Sequence, residues 1–89
     1  MTMTLNYLVY IAEGSHQIER CRFARRIDAE QYALHCVDDA LPHNSAVVVD
    51  LQTGMQIGYA AMAGDGSKYF EQTSGVPSRY RGALATEGA

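Results

Sequence analysis

The chain has 89 residues, of which 47% are apolar and 19% charged, with a formal net charge of −3. That length is one small domain, and the balance is too apolar for intrinsic disorder. The longest near-continuous apolar stretch, residues 7–12, falls far short of the roughly 20 residues of a membrane helix, and the counts also exclude collagen, coiled-coil and disulfide-dense classes.

Residues 5–12 are rich in Tyr, Val, Ile and Leu and predict a strand. A turn at Glu13, Gly14 and Ser15 leads into a returning strand over residues 17–24. In that strand Ile18 is out of step with Cys21 and Phe23, which predicts a bulge near Arg20. Asp28, followed three residues later by Gln31, has the pattern of a helix N-cap with its capping box. Ala29, Ala33, Cys36, Val37 and Ala40 fall on one helical stripe, flanked by Leu34 and Leu41, while Gln31, His35, Asp38 and Asp39 collect opposite. Pro42 is expected to end that helix.

Val47, Val48 and Val49 carry the strongest strand signal, within residues 46–51. A turn at Gln52, Thr53 and Gly54, with Gly54 in the left-handed position, returns the chain through residues 55–62. A second turn spans residues 64–67, and residues 68–73 add a short edge strand. The expected fold is α+β in two layers, β-β-α-β-β with four or five antiparallel strands and one helix on one face. Residues 1–73 form the domain and residues 74–89 a flexible or surface-packed tail. The order of an extended hairpin followed by a capped helix resembles that of the small β-β-α domains of bacterial antitoxin and accessory proteins in its sequence of elements alone.

Alternation along the strands assigns Leu5, Tyr7, Val9, Ile11, Val47, Val49, Leu51, Ile57 and Tyr59 to the helix side. The other side collects Leu8, Tyr10, Ala12, Val48, Ala60 and Met62. Both sides are semi-apolar, whereas a half-solvated antiparallel sheet alternates apolar with polar. Leaving one side wet forgoes a few kcal/mol at roughly 25 cal/mol per Å², a large share of a total stability of about 5–15 kcal/mol. A cover is therefore expected: a second copy of the chain as the first choice, the tail through Phe70, Val76, Tyr80 and Leu84, or a foreign protein. The expected partner-binding residues are Leu8, Tyr10, Val48, Ala60 and Met62.

Arg20, Arg22, Arg25 and Arg26 place four of the seven basic residues within seven positions. Guanidinium groups suit phosphates and carboxylates, so this group is a candidate contact for nucleic acid or an acidic protein surface; Arg20 and Arg22 are expected on one strand face. The plainer expectation is a solvated face paired with Glu19, Asp28 and Glu30. His16, His35, His43, Cys21 and Cys36 show no zinc-ligand spacing, and Cys36 on the apolar stripe reads as core rather than as a thiolate beside a base. Asp38 and Asp39 diverge by about 100° around a helix. Gly64, Asp65, Gly66, Ser67 and Lys68 lack the spacing of a phosphate loop.

No catalytic residue, metal or cofactor is expected. The chain reads as a small cytoplasmic, non-enzymatic interaction module, with no membrane partner and a homodimer formed through the second sheet face. The alternatives are an anion or nucleic-acid binder using the arginines and a small accessory inhibitor of a larger complex.

Overall fold

A computed structural model describes residues 4–13, 16–39, 45–73 and 75–80. Strands β1 (Tyr7–Glu13) and β2 (His16–Phe23) precede helix α1 (Arg26–Asp39), which is followed by β3 (Ser45–Asp50), β4 (Met55–Met62) and β5 (Lys68–Gln72). The strands form one sheet in the order β2-β1-β3-β4-β5, every neighbouring pair antiparallel. The expected α+β architecture is present: among the described residues, five strands form the sheet and a single helix packs on it.

Local chemistry explains most boundaries. The amide of Ala29 bonds the carbonyl of Arg25, so α1 starts two residues before the expected cap and Asp28 stands in the first turn. Its carboxylate there faces the positive end of the helix dipole. Pro42 and Ala40 lie outside the described residues, as do Gly14 and Leu41. Gly54, at φ +74°, turns the chain between β3 and β4, a conformation that side chains with a Cβ disfavour. Asp65 closes the next turn by accepting from the Ser67 amide at 2.9 Å and the Ser67 hydroxyl at 2.6 Å.

Both faces of the sheet are buried at its centre. On the helix side Val9, Ile11, Ala46, Val48 and Ala60 meet Ala29, Ala33 and Val37 of α1, with Tyr7, Phe23, Ile57, Met62 and Phe70 around them. Alanines on both layers leave no bulk between helix and sheet, and all four (Ala29, Ala33, Ala46 and Ala60) are fully buried. The other face holds Leu8, Tyr10, Val47, Val49 and Leu51, flanked by Ala12, Tyr59 and Tyr80.

This partition corrects the expected one. Alternation assigned the β1 residues to the right sides, but Val47, Val49, Leu51 and Tyr59 lie away from the helix, and Val48, Ala60 and Met62 lie against it. The register is the cause. β1 pairs Val9 with Val48 and Tyr10 with Val47, so odd positions of one strand share a face with even positions of the other. β4 then carries a bulge: Val48 opposes Gly58 while Val49 opposes Gln56, leaving Ile57 as the extra residue and breaking its alternation with Tyr59.

Gly58 marks the closest approach on the helix side. A Cβ there would press on the carbonyl oxygen of Glu71 and stand 2.7 and 2.8 Å from Cε1 and Cζ of Phe70. Gly58→Ala is expected to destabilise the chain by about 1–3 kcal/mol, the usual cost of overpacking, read as a lower urea midpoint. An unchanged midpoint would show that β5 moves aside freely.

Candidate functional site

The face of the sheet away from α1 is the most organised surface outside the helix layer. Cross-strand partners form one continuous row over all five strands: Glu19, Tyr10, Val47, Tyr59 and Glu71. The two ends of the row are carboxylates and the middle is apolar. Tyr59 donates to Glu71 at 2.9 Å, and its ring meets Tyr69 edge-on with centroids 6.5 Å apart. Such tilted aromatic pairs are worth about 0.5–1.5 kcal/mol beyond burial.

The segment after β5 runs first along the edge of β4, and its residues 79–80 then reach across this face to β2 and β1. Along β4 the Gln56 amide donates to the Val76 carbonyl at 2.9 Å and Met55 bridges to Pro77. The Ser78 amide then donates to the carbonyl of Gly54 at 2.9 Å. Gln17 of β2 donates through Nε2 to the Arg79 carbonyl at 2.8 Å. Tyr80 comes to rest on Tyr10, the rings stacked at 5.2 Å and 29°, and its hydroxyl donates to Glu19 Oε1 at 2.5 Å. The other carboxylate oxygen of Glu19 accepts from Arg22 Nε at 3.1 Å.

This arrangement sets the protonation of both partners. The hydrogen bond from Arg22 first, and that from Tyr80 second, hold the Glu19 carboxyl below the usual carboxylate range. Burial first, and the bond to Glu19 second, push the Tyr80 phenol up.

Leu8 and Tyr10, two of the expected partner-binding residues, lie on this face, and both are nearly fully buried within a single chain. Val48, Ala60 and Met62 belong to the helix side and are withdrawn from it. Of the side chains proposed as an internal cover, Tyr80 takes that role; Phe70 packs on the helix side, Val76 is exposed and Leu84 lies outside the described residues. Sequence reasoning missed Tyr59 and Tyr69 as members of this face. Adjacent Tyr69 and Phe70 in a strand point to opposite sides, so Tyr69 could be placed on this face only once Phe70 was known to pack on the helix side.

The arginines do not converge. The bulge expected near Arg20 is present, with Val9 opposite Cys21 and Tyr10 opposite Glu19. It turns Arg20 toward Tyr32 first and Cys36 second, both on α1, whose neighbourhood holds the guanidinium in its charged form, while Arg22 serves Glu19 on the far face. The expectation that the two share a face is therefore overturned. Arg25 pairs with Asp28 at 3.8 Å and Arg26 with Glu30 at 2.6 Å. These are the carboxylates expected for a solvated, internally paired face.

Cys21 and Cys36 are free thiols, both half-buried. His35 and His16 are exposed, and His43 lies outside the described residues. Among the described residues no group of three or more His, Cys, Asp or Glu is placed to hold a metal, and no helix is long and apolar enough to cross a membrane. Residues 64–67 form the turn into β5, which begins at Lys68. A cleft of about 260 Å³ opens between the start of α1 and the far ends of β4 and β5. Among the described residues, Arg26 is the one titratable residue lining it, and it is already paired with Glu30. Comparison with family models, with curated proteins and with solved structures finds no match to this chain.

Because Glu19 titrates lower in the native state, its contribution to stability is complete above the unfolded value of about 4.3 and is lost as pH falls through the native pKa. The gap in urea midpoint between wild type and Glu19→Gln is expected to be constant near neutrality and to close below about pH 4. A gap that persists unchanged into acid would show that the ionised carboxylate does not hold Arg22 and Tyr80.

Proposed function

We propose that the chain is a small non-enzymatic interaction module that pairs with a second copy of itself through the helix-free face of its sheet. The observation that carries this reading is the strip of tyrosines on that face. Tyr80 lies on Tyr10, Tyr59 on Tyr69, and Tyr69 is 41% exposed. Tyrosine is the side chain most suited to such a role, since its ring gives rigid apolar area and its hydroxyl tolerates water. The rim is polar and carries both signs, Glu71 at one side and Glu19 with Arg22 at the other. A two-fold axis through such a patch sets tyrosine against tyrosine and lets acidic and basic rim groups meet.

The arginine-based alternative has less support, because bulge and ion pairs distribute those side chains over different surfaces. A salt-dependent affinity for polyanions is accordingly not expected.

Sedimentation equilibrium of the full chain at micromolar concentration is expected to return twice the 9.8 kDa chain mass. Tyr69→Ala, at an exposed position, is expected to weaken the association about tenfold or more, as for an aromatic anchor, while the stability read from the urea midpoint falls only by the roughly 0.5–1.5 kcal/mol of its ring contact with Tyr59. A wild-type chain that stays monomeric throughout that range rejects the reading.

A further inference from the structure

We infer that residues 75–80 are a releasable strap over the helix-free face, and that its opening admits a second copy of the chain carrying the same strap. This inference rests on the pairing proposed above and names its regulation. The asymmetry between the strap and what it covers is the basis. Beneath it, Leu8 and Val49 are fully buried, and Tyr10, Val47 and Leu51 are at most 6% exposed. The strap itself is thin: Gly75, Val76, Pro77 and Arg79 are exposed, and Ser78 and Tyr80 are half-buried. Tyr80 is the one described strap side chain packed on the apolar cluster.

Among the described residues its fastenings are few: two backbone hydrogen bonds and one bridge to the edge of β4, and two side-chain hydrogen bonds to β2. The Tyr80 hydroxyl bond to Glu19 and the Gln17 bond to the Arg79 carbonyl both lie at exposed positions. Segments held by few buried contacts and by solvent-exposed hydrogen bonds open well below the energy of global unfolding. Opening gives up two backbone hydrogen bonds and the Met55–Pro77 bridge at the edge of β4, but it leaves the pairings of the five strands and the helix-side core intact, since neither includes a strap residue. Gly75, at φ +72°, sits where the segment leaves the line of β5 and is placed to act as the hinge.

The side chain shown to fit the bared face is Tyr80. A second copy offers the same ring and hydroxyl to Tyr10 and Glu19, so exchange of straps about a two-fold axis remakes the intrachain contacts without new chemistry.

Amide hydrogen exchange on the full chain tests the strap directly. The amides of Gln56 and Ser78, which donate across the strap boundary, are expected to exchange at least about tenfold faster than those of the core residues Val9 and Val48. Tyr80→Ala is expected to speed them further and to abolish the dimer, while Tyr80→Phe, which keeps the ring stack, retains it. Gln56 and Ser78 amides that exchange only in step with Val9 and Val48 overturn the strap, whatever the mass in solution. Fast strap amides in a wild-type monomer uphold the strap and overturn the second copy as its occupant, and a dimer that survives Tyr80→Ala overturns the exchange alone.

Discussion

β1 and β3 bury both of their sides. Leu8 and Val9, and likewise Val48 and Val49, are adjacent in sequence, point to opposite faces, and are all fully buried. A sheet whose central strands are apolar on both sides needs two covers, and the described residues supply one helix. The second cover is the Tyr80 ring, brought back across the sheet by a segment that is otherwise mostly exposed. Every feature of the helix-free face follows from that shortage: the stacked rings, the shared carboxylate of Glu19, and the tyrosines left half-open at the β5 side.

The two covers differ in kind. α1 meets the sheet through small side chains, and close approach of two regular surfaces yields dense, dispersed contact. Residues 75–80 meet it through one aromatic ring, a few backbone bonds at the edge of β4 and two side-chain bonds to β2. The first kind of contact is lost only with the fold. The second is suited to a surface that works by binding, since the segments that move in recognition come from the least stable part of a structure.

Two bulges decide where the polar chemistry goes. At Arg20 the extra residue turns neighbouring arginines to opposite faces, so a group that is dense in sequence becomes dispersed in space. Arg22 is thereby placed to hold Glu19, and through it Tyr80. At Ile57 the extra residue lets an isoleucine serve the helix side while Tyr59, two positions on, serves the other. Each bulge converts a strand with one alternation into a strand with two, and the contents of each face change at that point.

What the sequence determined by itself is local. The run of residues 55–62 as a strand, the left-handed turn at Gly54, the disturbance at Arg20 and the stripe of Ala29, Ala33 and Val37 all follow from periodicity and backbone preference within a few residues. What only the tertiary structure decided is the pairing of β1 with β3. These strands are joined through β2 and α1 rather than by a tight turn, so no turn geometry sets their register. The run Val47, Val48 and Val49 is equally apolar at each step and names neither face. A shift of one residue exchanges the faces, which is why Val48, Ala60 and Met62 lie under the helix and Tyr80 is left to cover Tyr10.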